Sequence, residues 1–418
     1  MQTGQITQTY ENRKTGNKYI KDFKEHSISP CIVTKILLSI LIIYEEWYME
    51  LRGGIPYLLQ ILAVLIVISS IFEMGKKIPM LIQNRVFVFW GIFGIVAFIY
   101  SGLFGISETN STSSLFTYFS FLIVCLCAGM VSEVEKNTYW INAPIIVIVI
   151  LSAYCSITNG YQRLNDDSTV ISMSSNNNPN NLGLMMDIGL FSLLFPQKRQ
   201  RFIQLLLRLG LAVVSFYVIL RTGSRSALVA AVFITVFAAY LYIKFASGKP
   251  KEIIIKRVIV IGLGVTAALV LITYMKNHGS SGTSISRLRN GFSWSAFVGR
   301  TDLYEEAWGV FSEHPIFGIG YDCFRLINSR SYFTHSTYME LLSCTGFVGF
   351  AIFLYPVFIG LHDNIRFAYK DKGRRLALLI MLILSGFFGI LYYTIVFMMM
   401  LYLIIYPTKT STEDNSTL

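Results

Sequence analysis

The chain has 418 residues, of which 54% are hydrophobic and only 14% are charged. Soluble proteins carry roughly a quarter charged residues, so the composition excludes an ordinary soluble enzyme and a disordered protein. The formal net charge of +11 does not indicate binding to nucleic acid, because the Lys and Arg residues cluster between apolar runs, as in cytoplasmic loops. The six cysteines form no CxxC pair, so we expect neither a disulfide framework nor a metal site. We therefore predict a membrane protein with many spans.

Apolar runs of about the length of a membrane span recur along the whole chain. The last run, 376–406, is longer than the ~20 residues that one span needs, so we predict a break at Gly389–Thr394. The predicted spans are 32–49, 55–72, 86–106, 115–131, 141–158, 182–195, 202–220, 226–245, 253–275, 337–361 and the two halves of 376–406. The expected fold is an all-α polytopic membrane protein with about 12 transmembrane helices.

The distribution of basic residues predicts the orientation, because Lys and Arg favour the cytoplasmic side of a membrane. Most of them fall in inner segments if both termini are cytoplasmic. Residues 1–31 then form a cytoplasmic N-terminal segment without a cleavable signal peptide, residues 32–407 form one transmembrane domain, and residues 408–418 form a cytoplasmic tail. The long outer loops are 159–181, which is polar, and 276–336, in which we expect short helices over the outer face.

The turn between the seventh and eighth spans reads RTGSRS at 221–226. Nearly all the basic residues of the outer segments are Arg, whose planar fork binds phosphate oxygens in pairs. Arg221 and Arg225 share a face if the eighth helix begins early, and the hydroxyl residues of the turn are candidate caps for that helix. A helix N-terminus beside two guanidinium groups is a site for phosphate. The alternative is that both Arg side chains extend to lipid headgroups.

Two further segments lie in the second long outer loop. The first reads GRTDLYEEAW at 299–308, and if it is helical, Arg300, Tyr304 and Trp308 share a face. Taken alone, this pattern is typical of an amphipathic surface helix. The second reads HPIFGIGY at 314–321, and its glycines suit a tight turn close to the membrane.

The tenth span opens with THSTYME at 334–340. His335 stands at the N-terminus of a helix that runs inward, and the helix dipole there disfavours protonation and keeps the imidazole available as a base. The alternative is a capping or interfacial histidine. The chain has no Walker A, HExxH or GxSxG pattern, so we expect neither a nucleotide-driven nor a metal-hydrolase mechanism.

In their order along the chain, these four segments resemble the O-antigen ligase and Wzy-type polysaccharide polymerase family, over roughly 205–355. The family pattern has an SRG-like helix start, an Arg followed by a Trp in a helix, and an H-P-hydrophobic-x-G-x-G turn. It ends with H-N-x-Y before a Gly-rich span, which here contains Gly346 and Gly349. This chain departs from the pattern at Ser226, where the family has Gly, and at Ser336, where it has Asn.

The resemblance implies a GT-C-type membrane glycosyltransferase that acts on undecaprenyl-diphosphate-linked oligosaccharide at the outer face of the bacterial plasma membrane. It implies that Arg225 and Arg300, with Arg221, hold the diphosphate, and that His335 is the catalytic base on the acceptor hydroxyl. Neighbouring motif residues that are candidates for glycan or supporting contacts are Trp308, Tyr321, Tyr338 and Glu340. The expected reaction inverts the anomeric centre without a cofactor or a metal. The expected partners are the lipid-linked oligosaccharide, membrane lipid, a flippase and a chain-length regulator, and no nucleic acid.

The motifs do not separate a polymerase of repeat units from a ligase that transfers finished glycan to lipid or protein. The long outer loops favour the polymerase. A twelve-span transporter or lipid-linked oligosaccharide flippase is the alternative from a different class. Against it, residues 73–79 lack the G-x-x-x-D-R signature of the major facilitator superfamily. A transporter also keeps charged groups at mid-membrane, where Asp187 and Arg208 are the clear candidates, and a structural pair between these neighbouring spans is the alternative to a transport role.

Overall fold

The computed structural model describes residues 30–49, 57–79, 84–158, 161–165, 168–172, 179–195, 202–222, 224–244, 294–366 and 372–405. Within these ranges the chain forms a bundle of α-helices. The helices are α1 Ile32–Ile43, α2 Leu58–Met74, α3 Arg85–Phe104, α4 Glu108–Glu135, α5 Asn142–Thr158, α6 Pro179–Leu194, α7 Phe202–Arg221, α8 Arg225–Lys244, α9 Trp294–Glu313, α10 Phe324–Ile327, α11 Thr337–Arg366, α12 Lys372–Ser385 and α13 Ile395–Ile405. A π-helical turn, Tyr44–Met49, extends α1.

The helices follow the predicted spans closely. Each predicted span coincides with a helix except 253–275, which lies outside the described residues. Six of the described helices are long and apolar enough to cross a membrane, and α6, α8 and α13 contain shorter apolar helices. The break predicted at Gly389–Thr394 is present, because 386–394 separates α12 from α13. The chain is therefore a multi-pass helical membrane protein, while twelve spans and cytoplasmic termini remain predictions.

The polar loop predicted at 159–181 contains a short hairpin. Strands β1, Tyr161–Asn165, and β2, Ser168–Ser172, pair antiparallel, with Tyr161 opposite Ser172. The second strand contains three β-branched residues in succession, Thr169-Val170-Ile171, which favour extended backbone. Apart from this hairpin, the described structure is helical as predicted.

Contacts between distant helix ends define two ends of the bundle. At one end, which we call the basic end, Lys35 Nζ lies 2.6 Å from Glu135 Oε1. At the same end, the Arg375 guanidinium is buried and donates to Asn364 Oδ1 at 3.0 Å. These contacts join the start of α1 to the end of α4 and the end of α11 to the start of α12.

The opposite end, which we call the loop end, carries the connections 104–108, 314–336 and 386–394. There, Ile106 N donates to the Ile319 carbonyl at 3.0 Å. The helix ends joined by these contacts were predicted to be outer at the loop end and inner at the basic end. The side of the membrane that each end faces remains a prediction.

The two charged residues considered as a structural pair at mid-membrane do not form one. Arg208 Nη2 donates to the Ser192 carbonyl at 2.6 Å. Asp187 is fully buried, and neither of its carboxyl oxygens has a hydrogen-bond partner. The two residues therefore do not pair with each other across their neighbouring spans.

Candidate functional site

The start of α11 is built around an interruption of that helix. Gly346 has φ +63° and ψ −168°, so the regular helical backbone stops there and resumes beyond it. The carbonyls of Ser343 and Cys344 instead accept hydrogen bonds from a different segment, from Ile319 N at 3.1 Å and from Gly320 N at 3.0 Å. The segment with the two glycines therefore satisfies carbonyls that the broken helix leaves open.

The same segment also supplies acceptors to the second part of α11. Phe347 N donates to the Pro315 carbonyl at 2.8 Å, and Val348 N donates to the Ile316 carbonyl at 3.1 Å. A Cβ atom on Gly346 would lie 2.4 Å from the Ile316 carbonyl carbon, so the two backbones meet without room for a side chain. The H-P-x-x-G-x-G motif is thus more than the predicted tight turn, because its backbone completes the hydrogen bonding of an interrupted membrane helix.

His335 lies in the three-residue turn 334–336 that precedes α11, which we call the His335 turn. His335 has φ +56°, a left-handed backbone that costs a non-glycine residue roughly 1–2 kcal/mol. The Thr334 hydroxyl donates to the Ser336 carbonyl at 2.9 Å and accepts from Ser336 N at 3.2 Å. Ser336 in turn caps α11, because its Oγ accepts from Met339 N at 3.5 Å. The half-buried imidazole therefore sits at a helix N-terminus, as predicted.

Glu340 supports the His335 turn from inside the protein. Its side chain is fully buried, and Oε2 accepts a hydrogen bond from Thr334 N at 2.8 Å. The Cys344 thiol lies 3.6 Å from Oε1. The buried carboxyl group therefore contacts the backbone of the residue immediately before His335.

The start of α11 is also anchored on the break between α12 and α13. Thr337 N donates to the carbonyls of Gly386, at 2.8 Å, and Gly389, at 3.0 Å, and its hydroxyl donates to Gly389 at 2.7 Å. The Tyr338 hydroxyl donates to the Ile383 carbonyl at 2.7 Å. The break therefore provides carbonyls that no longer serve a helix and that hold the His335 turn in place.

Helix α9 brings Arg300 to this end of the bundle. The buried face of α9, with Leu303 and Ala307, belongs to a small core that includes Cys344 of α11. One turn after Arg300, the Tyr304 hydroxyl donates to the Phe387 carbonyl at 3.2 Å. The backbone of Arg300 is thus one helical turn from Tyr304, which contacts the break that anchors α11. Trp308 lies one turn beyond Tyr304 and is 56% exposed.

Two polar contacts tie α9 to the segment that leads into the His335 turn. Glu306 accepts from Ser329 N at 3.0 Å and from the Ser329 hydroxyl at 2.6 Å, and these hydrogen bonds lower the pKa of the Glu306 carboxyl. Asp302 forms an exposed ion pair with Arg330, at 2.7 Å between oxygen and nitrogen. The element that carries Arg300 and the segment that carries His335 are therefore joined directly.

The turn between α7 and α8 differs from the prediction in one respect. Helix α8 begins early, at Arg225, and Ser224 caps it by accepting from Ala227 N at 3.3 Å. Arg221, however, is the last residue of α7. The two arginines thus flank the turn on different helices and do not share one helix face.

The second turn of α6 connects the start of α8 with the anchor of α11. A Cβ atom on Gly183 would lie 2.7 Å from the Ala227 side chain, so α6 and α8 approach closely there. The next residue, Leu184, packs against Gly389, because a Cβ atom added to Gly389 would lie 3.5 Å from the Leu184 side chain. Because Gly389 also accepts from Thr337, the turn between α7 and α8 and the His335 turn lie at the same end of the bundle, with the second turn of α6 between them.

Sequence reasoning missed Asp322, which is buried beside the site with a left-handed backbone at φ +59°. Its carboxylate accepts from the Ser114 hydroxyl, from Arg325 Nη2 at 2.9 Å and from the Tyr393 hydroxyl at 3.2 Å. These partners come from three separate parts of the chain. Asp322 directly follows the 314–321 motif, which is the one local signal for it, whereas its partners Ser114 and Tyr393 lie too far along the chain for the sequence to indicate this network.

The residues considered for glycan contacts differ in exposure. Tyr321 is almost completely buried, and this burial raises the pKa of its hydroxyl well above the usual value. Tyr338 is half-buried, so of the four candidates Trp308 alone presents most of its surface. Among the described residues, no group of three or more His, Cys, Asp or Glu side chains is arranged to hold a metal ion.

Residues 210–354 match the family model described as O-Antigen ligase. The matched region runs from within α7 through the first half of α11 and includes Arg221, Arg225, Arg300 and His335. The resemblance drawn from the sequence motifs is therefore confirmed for this region. No curated protein matches the chain. The match supports membrane glycosyltransferase activity of the O-antigen ligase or polymerase type, with a lipid-linked oligosaccharide as substrate.

Proposed function

From the match of residues 210–354 to the O-antigen ligase family, we propose that this protein polymerises undecaprenyl-diphosphate-linked repeat units at the outer face of the bacterial plasma membrane. The observation that carries the proposal is the gathering of two motif elements at one end of the bundle. The capped start of α8 packs against the second turn of α6, and the residue after the His335 turn is held by the break after α12, against which Leu184 of α6 also packs.

The arginines are proposed to bind the diphosphate of the donor. Arg225 is the first residue of α8, where the positive end of the helix dipole already favours an anion. Arg221 ends the preceding helix, and Arg300 lies on α9 at the same end of the bundle. Cleavage of the glycosyl–phosphate bond develops negative charge on the diphosphate, and guanidinium groups already in place stabilise that charge in the transition state.

His335 is proposed to be the general base. It takes the proton of the acceptor hydroxyl while that oxygen attacks the anomeric carbon, and the bond from this carbon to the phosphate oxygen breaks. The diphosphate leaves with the bonding electron pair, and the anomeric centre is inverted. The N-terminus of α11 supports this role, because its dipole disfavours the protonated imidazole before the reaction. The step consumes no nucleotide and no redox equivalent, and we propose that it needs no metal.

The second candidate is a ligase that transfers finished glycan to lipid or protein, and the description of the matched family favours it. The two activities differ in their acceptor. We favour the polymerase because the long segments 159–181 and 276–336, both predicted to be outer, suit the binding of a growing glycan.

The test is reconstitution of the purified chain with a defined lipid-linked repeat unit, in buffer that contains a metal chelator. A ladder of longer lipid-linked glycans supports the polymerase, and a single transfer to an added lipid or protein acceptor supports the ligase. Transport of the lipid-linked glycan across the bilayer, without transfer in either assay, would contradict the proposal and favour the flippase.

The outer location has its own test. A single Cys at Ser281 or Ser295, in a background without other cysteines, should react with an impermeant maleimide in intact cells or spheroplasts. Reaction only after permeabilisation would place the loop end inside and remove the argument for an outer active site.

A further inference from the structure

We propose that Glu340 is a positioning residue that holds His335 in its left-handed turn by accepting the Thr334 N–H bond. The kinetic consequence rests on the proposed function, in which His335 is the base, whereas the structural consequence does not. Glu340 does not touch substrate in this proposal. It acts through the backbone that carries the imidazole.

The need for such a residue follows from the backbone of His335. A non-glycine residue at φ +56° is strained, and strain of this kind persists only where the surroundings fix it. The hydroxyl of Thr334 closes the turn on one side through its two hydrogen bonds with Ser336. Those bonds are internal to the turn, so they do not attach it to the rest of the protein.

Glu340 supplies the attachment on the amino-terminal side. Its carboxylate is fully buried and lies 2.8 Å from Thr334 N, while Thr337 binds the carbonyls after α12 on the other side of the turn. The turn is therefore fixed immediately before and immediately after His335. Removal of Glu340 would leave a buried N–H group without its acceptor, a costly state that the turn avoids by changing conformation.

This arrangement predicts that the position of an oxygen matters more than the charge. Gln keeps an amide oxygen at the same distance along the side chain and accepts the Thr334 bond. Asp keeps the charge, but its chain is shorter by one methylene group, so its oxygens fall outside hydrogen-bond distance of Thr334 N. A carboxyl group that worked as an acid or a base would show the reverse order, with Asp partly active and Gln inactive.

The experiment compares E340Q, E340D and E340L in the full chain with T345V as the matched control. Thr345 lies on the same part of α11, is buried, and loses one hydrogen bond, to the Leu341 carbonyl at 2.7 Å, without contacting the turn. We expect E340Q and T345V to keep near wild-type kcat. We expect E340D and E340L to lose up to about 100-fold in kcat, the size of effect that a small misplacement of a reacting group produces, with little change in KM for the lipid-linked donor.

A second readout does not depend on catalysis. Diethyl pyrocarbonate modifies histidine, and peptide mass spectrometry reports its rate at His335 with the exposed His314 as the internal reference. We expect faster modification of His335 in E340D and E340L than in wild type, E340Q or T345V. If E340L does not fold, the comparison of E340D with E340Q decides.

Two outcomes would overturn the proposal. One is an unchanged modification rate of His335 in E340D, and the other is an active E340D beside an inactive E340Q. Failure of the proposed function has a different signature, because wild type would then show no transfer, or His335→Gln would keep its activity, while the modification rates still report whether Glu340 holds the turn.

Discussion

Replacement of Gly346 by Ala is expected to destabilise this protein far more than most Gly→Ala changes in a helix. The position combines a left-handed backbone, φ +63°, with a close approach of two chain segments. A Cβ atom there would lie 2.4 Å from both the carbon and the oxygen of the Ile316 carbonyl and 2.5 Å from Phe317 N. All three neighbours are backbone atoms, so no rotation of a side chain relieves the overlap.

Two costs add at this position. Gly346 has φ +63° and ψ −168°, a backbone region that only Gly occupies readily, so Ala there costs of order 1–3 kcal/mol, and insertion of a methyl group into a packed interior costs about 1–3 kcal/mol. The expected loss in the free energy of unfolding is therefore about 2–6 kcal/mol. Gly91 in α3 offers a matched control, because a Cβ atom there meets nothing within 4 Å. Ala is about 1 kcal/mol better than Gly within a helix, so Gly91→Ala should be neutral or stabilising.

The assay is thermal unfolding of the purified variants in the same detergent, followed by circular dichroism and by tryptophan fluorescence. Gly346→Ala should melt several degrees below wild type, and Gly91→Ala should not. The reasoning is refuted if Gly346→Ala melts at the wild-type temperature. In that case α11 would run without an interruption, and the 314–320 segment would not pack against its backbone.

The remaining predictions concern the site and its supports. Arg225→Ala and Arg300→Ala should abolish transfer, and the Lys variants should restore little because the paired hydrogen bonds of the guanidinium are lost. Near wild-type rates in both Lys variants would indicate that these residues are lipid anchors. His335→Gln should bind donor but lose about 10²–10⁴-fold in rate, whereas the control His314→Gln should keep its activity. Wild-type activity should fall on acidification as the imidazole takes up its proton. A fully active His335→Gln contradicts the catalytic role. Glu306 has a lowered folded-state pKa, so its stabilising contribution is complete above its unfolded pKa of about 4.3 and is lost as the pH falls through the folded value. Melting temperatures should therefore fall less steeply on acidification in Glu306→Gln than in wild type, and parallel curves would show that its contact with the next segment contributes nothing.

Much of the helical architecture was predictable because each span is a local feature. A run of apolar residues is sufficient to form a helix in a membrane, where every backbone group has to be satisfied within the segment. The break at Gly389–Thr394 was predicted from length alone, since 376–406 exceeds one span. The early start of α8 and its hydroxyl cap were also local, and Ser224 fills that place.

The rest was out of reach because it depends on where the chain reverses direction and on which segments then meet, and no local pattern records either. Gly346 is one glycine in a Gly-rich span, and nothing near it indicates that Ile316 and Ile319 complete its helix. Glu340 is likewise a common helix residue until Thr334 folds back on it. Arg221 was placed with Arg225 because four residues suggest one helix turn, but the chain reverses between them.

The interruption of α11 has a consequence for biogenesis. Residues 337–361 are apolar apart from a few polar residues and one charged residue, Glu340. We expect this segment to enter the bilayer as a single continuous helix, because only a helix satisfies its own backbone there. The glycines of the 314–320 motif precede it in the chain and have already left the ribosome when it emerges. We expect the break at Gly346 to form afterwards, within the membrane, when the two helical hydrogen bonds from Phe347 N and Val348 N to the carbonyls of Ser343 and Cys344 are exchanged for the four that join 315–320 to α11. Insertion and maturation are thus separate events, and a chain with a defective motif would enter the membrane normally and stay immature there.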